Sequence, residues 1–261
     1  MTNRLAFEAA GRAAREGEGH LIFLHGFGGL ASQWQPLQAR FADVPSMAFD
    51  LPGHGGSLEF EGFGPPKVAA RAVITQLPGD ATTKHHLVGH SMGGAIACLI
   101  ALFAPERVAS LTLLAPGGFG PEIAVDLLDD WANARTRQEI MTTLAPMYAR
   151  RPDEKKDFLQ AQVAARAQPG AIEALQWIRD GMTKNGQQGV LPLSAIFEKE
   201  IPIELVWGTE DRIVPYQQAL TVCEAQPAGV TLHTLDGIGH CPAEEAEKQV
   251  AAIIRSNFLA A

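Results

Sequence analysis

Cysteine is scarce in this chain: Cys98, Cys223 and Cys241 are the whole supply in 261 residues, odd in number and widely spaced. That excludes a disulfide framework as the basis of the fold and suits a reducing compartment. No segment approaches the roughly eighteen uncharged apolar residues of a membrane span, so no transmembrane helix is expected. Between Met1 and His20, Arg4, Arg12 and Arg15 alternate with acids and no continuous apolar stretch occurs, so no secretory leader is expected. Basic residues never run beyond the pairs Arg150-Arg151 and Lys155-Lys156, and the net charge is −8. A nucleic-acid partner calls for a basic stripe, and the chain has none. Internal repeats and low-complexity tracts are also missing. These absences leave a cytoplasmic protein acting on a small molecule, with no nucleic-acid or membrane partner and an oligomeric state that the sequence does not define.

What the chain does have is 46% hydrophobic and 19% charged residues, enough for a sizeable core and incompatible with whole-chain disorder. Short apolar runs at 21–24, 46–49, 86–88, 111–114, 203–207 and 230–235 are rich in branched residues and end in Gly, Pro or Asp, as buried parallel strands do. Helix-length amphipathic segments fall between them at 32–41, 67–76, 92–103, 215–225 and 243–258. This alternation predicts an α/β protein with a doubly wound, mainly parallel sheet flanked by helices. The rhythm breaks between about Gly120 and Ile201. That stretch reads as helical throughout, carrying Trp131, Met141, Met147, Phe158, Trp177 and Met182, and punctuated by Pro146, Pro152, Pro169 and Gly170. The expected organisation is a core of residues 1–120 and 201–261 with a helical lid, 121–200, inserted between strands. The plainer alternative is extra helical packing without a gating role.

The chemistry centres on Gly89-His90-Ser91-Met92-Gly93, preceded by a strand and followed by a helix. G-x-S-x-G in that setting is a nucleophile elbow: glycines on either side let strand and helix close around a strained turn that exposes the serine oxygen. A serine needs a base, and the base an orienting acid, both following in chain order. Asp211 follows the strand at 203–207, and His240 follows the strand at 230–235, so both emerge at the sheet edge where Ser91 emerges. Glu210 and Asp236 are alternative acids. His90 adjoins the serine but points elsewhere; His20, His25, His54, His85, His86 and His233 read as ordinary polar or loop histidines. Two backbone N–H groups are required for the developing oxyanion. The first is Met92, and the second comes from His25-Gly26-Phe27-Gly28-Gly29, with Phe27 as donor and Gly28 in reserve. No metal and no cofactor are expected. Zinc spacings such as H-E-x-x-H or paired C-x-x-C are missing, which leaves Cys241 as a small neighbour of the base. Gly26, Gly28 and Gly29 lack the third glycine of a dinucleotide loop, since position 31 is Ala.

In chain order these motifs are His25 to Gly29, Asp50-Leu51-Pro52-Gly53-His54-Gly55, Gly89 to Gly94, Trp207-Gly208-Thr209-Glu210-Asp211-Arg212-Ile213-Val214-Pro215 and Gly239-His240. Together they resemble the α/β-hydrolase superfamily, in its lidded esterase and carbon–carbon hydrolase branch, from residue 21 to about 245. The resemblance implies the α/β-hydrolase fold and the roles of Ser91, Asp211, His240 and the amides of Phe27 and Met92. The segment from Leu114 to Pro121 resembles the loop entering the lid of meta-cleavage product hydrolases, although those often place Trp after the histidine, where Cys241 stands. It also resembles the hydrolase-like domain of acetoin dehydrogenase acetyltransferase subunits, which usually carry a lipoyl domain for which this length leaves no room. The short segment before residue 21 implies that one or both of the family's edge strands are missing. The expected activity is that of a serine hydrolase cleaving an ester, or related carbonyl substrate, with a small-to-medium apolar acyl group. Carbon–carbon hydrolysis, acyl transfer on the same triad and ligand binding without catalysis are the alternatives.

Overall fold

The computed structural model of the chain describes residues 3–150 and 156–260; Arg151, Pro152 and Lys155 lie outside them. The first half runs β1 (Phe7–Ala10), β2 (Leu21–Leu24), α1 (Gln35–Gln38), β3 (Ser46–Phe49), α2 (Pro66–Gln76), β4 (His85–His90), α3 (Met92–Phe103) and β5 (Val108–Leu114). An insertion follows: α4 (Val125–Asn133), α5 (Arg137–Leu144), α6 (Lys156–Arg166), α7 (Ala171–Met182), the two-residue strands β6 (Thr183–Lys184) and β7 (Gln187–Gln188), and α8 (Leu193–Phe197). The chain closes with β8 (Ile203–Gly208), α9 (Gln217–Glu224), β9 (Val230–Leu235), α10 (Pro242–Glu245) and α11 (Glu247–Ala260).

Seven strands make one sheet in the order β1-β3-β2-β4-β5-β8-β9, with every neighbouring pair parallel except β1 with β3. Side chains alternate across a strand, so each central strand feeds two cores. Ile22 and Leu24 of β2, with Leu87, Leu111, Leu113, Leu205 and Trp207, pack under α2 and α3. Leu21 and Phe23, with Val88, Leu114 and Val206, pack under Trp34, Leu37 and Phe41 and under Val250 and Ile254 of α11. Burial on both faces is why these strands read as continuous apolar runs. The strand order reverses between β2 and β4. Loops leaving the carboxyl ends of strands diverge at such a reversal, and the crevice between them is where open α/β sheets bind ligands.

Several local expectations are revised. An edge strand is present at Phe7–Ala10, antiparallel to β3 and half-exposed in alternation. Only four residues long and without a continuous apolar run, it is invisible to a search for buried strands. The segment expected as one helix at 32–41 is a 3-10 turn (Ala31–Trp34), α1, and a second 3-10 turn (Ala39–Phe41). The helix expected at 243–258 is interrupted at Ala246, whose backbone (φ −132°, ψ 38°) leaves the helical region. The insertion is not helical throughout. Asn185 and Gly186, with φ of 54° and 76°, turn the chain between β6 and β7, and Asn-Gly is the dipeptide that favours such a two-residue hairpin turn. Among the described residues no helix is long and apolar enough to cross a membrane.

Candidate active site

Ser91 links β4 to α3 with φ 53° and ψ −116°, a strained backbone for a non-glycine residue. The flanking glycines make that turn possible. A Cβ on Gly89 would lie 2.4 Å from Gly93 O, and one on Gly93 would lie 2.1 Å from Leu24 O and 2.6 Å from His25 O. Strand β4, helix α3 and the end of β2 therefore meet at distances that admit no side chain. Gly93→Ala is expected to destabilise the protein by about 2 kcal/mol or more through this overpacking. Its thermal midpoint should fall by several degrees, and an unchanged midpoint would contradict the close approach. Ser91 is nearly buried and sits at the amino end of α3, where the helix dipole favours negative charge.

Asp211 and His240, 29 residues apart in sequence, meet at 2.8 Å through Oδ2 and Nδ1. Both side chains are buried. The other carboxylate oxygen of Asp211 accepts from the amides of Ile213 (2.8 Å) and Val214 (3.0 Å), which fixes the carboxylate plane. With Nδ1–H donated to Asp211, Nε2 of a neutral His240 is left as the basic nitrogen. Of the alternative acids, Asp236 instead accepts from the Thr209 hydroxyl at 3.2 Å, and Glu210 is engaged through its backbone, its amide donating to Ile238 O at 2.9 Å. Gly208 lets the two loops close: a Cβ there would lie 2.2 Å from Ile238 O. The loop bearing His240 is held by Met147 O, which accepts from the His240 amide at 2.7 Å. It is also held by His90, whose Nε2 donates to His240 O at 2.7 Å. Burial and the neighbouring His240 push the His90 pKa down to about 3, so it is a neutral donor at this position. Among the described residues Ser91 Oγ makes no hydrogen bond to the His240 ring, a contact that commonly tightens only when substrate binds.

The loop after β2 approaches the elbow closely; a Cβ on Gly26 would lie 3.3 Å from Ser91 Cβ. Gly29 N donates to Gly26 O at 3.0 Å, closing a turn with Gly28 at φ 68°. The Gly28 amide is already used, donating to His54 Nε2 at 3.0 Å, while His54 Nδ1 donates to Pro52 O at 3.1 Å. His25 behaves similarly, donating through Nδ1 to Gly26 O at 2.8 Å and accepting at Nε2 from Leu51 N at 2.9 Å. Burial lowers the His25 pKa to about 4 and the His54 pKa to about 3, so both hold one neutral tautomer. By contrast, the Phe27 amide bonds no backbone acceptor among the described residues. Met92, the first residue of α3, has an N–H with no intrahelical acceptor. His25 and His54 thus shape the turn, although their sequence reads as that of ordinary loop histidines. Sequence reasoning also missed Trp131, whose indole N–H donates to Phe27 O at 2.9 Å from 104 residues away.

Phe27, Ser91 and Met92 line one cavity of about 200 Å³. Its walls are mostly apolar, with Ala95 and Leu99 from α3 facing Ile123, Leu128, Met182, Val190 and Leu191 from the insertion. Besides Ser91, Lys67 and Gln188 bring polar side chains to the lining, and Gln188 Oε1 already accepts from Gly118 N at 3.0 Å. Cys241 is a buried free thiol whose pKa is pushed well up by burial and by Glu244 and Glu245. Among the described residues no three His, Cys, Asp or Glu side chains gather as a metal site.

A family model described as the alpha/beta hydrolase family matches residues 21–253. The dihydrolipoyllysine-residue acetyltransferase component of the acetoin cleaving system of Cupriavidus necator is 30% identical over 261 residues, covering 95% of this chain and 66% of that protein. The chain thus spans just under two thirds of the length of that relative. The 2-succinyl-6-hydroxy-2,4-cyclohexadiene-1-carboxylate synthase of an Enterobacter species is 27% identical, covering 93% of each chain. Among solved structures, a meta-cleavage product hydrolase of Pseudomonas fluorescens superposes with a TM-score of 0.81 at 18% identity, over 97% of this chain and 93% of that one. At that identity the likeness is one of fold.

Proposed function

The chain belongs to the alpha/beta hydrolase family, and from that premise we propose that it is a serine hydrolase. It cleaves an ester, or a related carbonyl substrate, with a small-to-medium apolar acyl group. Ser91 is the nucleophile, His240 the base and Asp211 the residue that orients it. Ser91 Oγ attacks the carbonyl carbon as His240 Nε2 takes its proton, and Asp211 stabilises the imidazolium that forms. The tetrahedral oxyanion lodges on the amides of Phe27 and Met92. His240 then protonates the leaving alcohol, and water, activated by the same histidine, releases the acyl group. Residues 121–200 act as a lid over the acyl pocket, and the protein works in the cytoplasm, where free Cys98, Cys223 and Cys241 stay reduced.

The observation that carries this reading is the shared cavity. Phe27, Ser91 and Met92 line one largely apolar space, and the loop bearing the buried His240–Asp211 pair is bonded to His90, the residue next to the serine. An apolar cavity of 150 Å³ in another protein takes benzene, so about 200 Å³ suits an acyl chain of roughly four to eight carbons. Hydrolysis of p-nitrophenyl esters of increasing acyl length should therefore rise to a maximum in that range and fall beyond it. A flat profile, or a preference for highly charged acids over neutral esters, would count against the assigned pocket.

A second reading is acyl transfer, in which a thiol or alcohol replaces water as acceptor. It is favoured by the 30% identity to the acetyltransferase component. Product analysis with and without an added thiol separates the two. Negligible turnover of every ester by folded protein would turn the choice toward carbon–carbon hydrolysis or ligand binding alone.

A further inference from the structure

Two peptide groups decide where the Phe27 N–H points. The first joins Gly26 to Phe27, and its carbonyl oxygen is pinned by two donors, His25 Nδ1 at 2.8 Å and Gly29 N at 3.0 Å. Because the peptide is planar and trans, pinning that oxygen aims the Phe27 N–H to the opposite side. The second joins Phe27 to Gly28 and is gripped at both ends. Its N–H donates to His54 Nε2 at 3.0 Å, and its oxygen accepts from Trp131 Nε1 at 2.9 Å. Loosening either peptide lets the residue between them rotate and swings its N–H.

Three of these four partners belong to the sheet core and its loops. The fourth, Trp131, stands on α4 in the insertion. Its indole is buried, with the Arg166 guanidinium stacked 4.1 Å over the ring. The loop is shaped to receive it, since a Cβ on Gly28 would lie 2.2 Å from Trp131 Nε1. A later part of the insertion, beyond α5, grips the loop that bears His240. Met147 O accepts from the His240 amide at 2.7 Å, and the amides of Ala149 and Arg150 donate to Glu245 Oε2 at 2.9 and 3.2 Å.

We propose that Trp131 is a positioning residue for the oxyanion site, so that α4 completes the reacting geometry as well as walling the pocket. This rests on the serine hydrolase reading above. A buried indole N–H and a buried carbonyl are each costly to leave unpaired, so the pair is a stiff link. Trp131 does not line the acyl cavity, which separates its effect from substrate binding.

The test is Trp131→Phe, which keeps an aromatic ring and deletes the N–H. On the best p-nitrophenyl ester, kcat is expected to fall roughly 10- to 100-fold, less than the 10²–10³ for loss of an oxyanion donor outright. KM should stay within about twofold, because the deleted donor acts on the transition state. Amide exchange at Gly28, followed by nuclear magnetic resonance on the full chain, should accelerate at least tenfold as the peptide loosens. A lowered melting midpoint with kcat and Gly28 exchange unchanged would overturn the proposal and leave Trp131 a packing residue. A rise in KM alone would overturn it too, by making the tryptophan a substrate contact. If the wild type shows no Ser91-dependent turnover, the hydrolase reading fails by itself, and Gly28 exchange then decides whether Trp131 holds the loop.

Discussion

Ser91→Ala is expected to reduce ester turnover by at least about 10⁴-fold, to the rate given by binding and the oxyanion amides alone. The reason is chemical: without the hydroxyl no acyl-enzyme forms, and water bound in its place has neither the position nor the helix-end environment of Oγ. The variant is a clean probe because alanine adds no atom to a nearly buried site and adopts the same backbone. The strained φ of 53° at this position is imposed by the close approach of β4, α3 and β2, not by the hydroxyl. The melting midpoint should therefore stay within about 2 °C, a shift corresponding to no more than about 1 kcal/mol in a chain of this size. Mass spectrometry of protein treated with a fluorophosphonate should show one adduct on the wild type and none on the variant. Turnover retained by Ser91→Ala on a substrate that the wild type hydrolyses would remove the mechanism altogether.

The second large effect is acid unfolding driven by buried histidines. Burial drives the pKa of His25, His85 and His86 down to about 4, and that of His54 and His90 down to about 3. All five are neutral in the folded protein at pH 7. An unfolded chain restores each to about 6.5, so below that pH the unfolded state binds more protons and stability falls as pH falls. The loss starts near pH 6.5, steepens toward pH 5 and levels off only once the folded-state values of about 4 and 3 are passed. Each group loses about 1.4 kcal/mol per pH unit within that window, so one unit of acidification removes on the order of 7 kcal/mol. Total stabilities are about 5–15 kcal/mol, so unfolding is expected between roughly pH 6 and 4 at 25 °C. Circular dichroism against pH, combined with urea midpoints at each pH, measures this directly. Stability that stays level from pH 7 to about 4.5 would contradict the burial of these rings. The candidate site depends on the neutral rings: a protonated His54 has no lone pair at Nε2 for the Gly28 amide, and a protonated His25 has none for the Leu51 amide.

Much of the architecture is legible in local sequence because strands buried on both faces must be apolar at every position. Leu21–Leu24 and Ser46–Phe49, buried at every position, have the bounds that their apolar runs predict; Val230–Leu235 does too, although it is a partly buried edge strand that carries Thr231, His233 and Thr234. Helix α3 starts at Met92, immediately after the elbow, because Gly89 and Gly93 are required there by backbone contacts under 3 Å. The edge strand Phe7–Ala10 escaped because an edge needs only one neighbour and carries no core face long enough to leave a pattern. The Asn185-Gly186 hairpin had a readable signal, masked by the helical segments around it.

The sequence by itself determined the chemistry on offer: a serine in a glycine-flanked elbow, acids and a histidine after later strands, and a glycine-rich loop after the first buried strand. Those are local requirements, set by backbone sterics and strand placement, and a local pattern records them. The tertiary structure alone decided which groups meet. It joins Asp211 rather than Glu210 or Asp236 to His240, and it occupies the Gly28 amide with His54 while leaving that of Phe27 without a backbone acceptor among the described residues. It also brings Trp131 across 104 residues to the oxygen of Phe27. Hydrogen bonds of this kind depend on where two distant segments lie to within a few tenths of an ångström. No periodicity or spacing encodes that; the packing of the insertion against the sheet edge does.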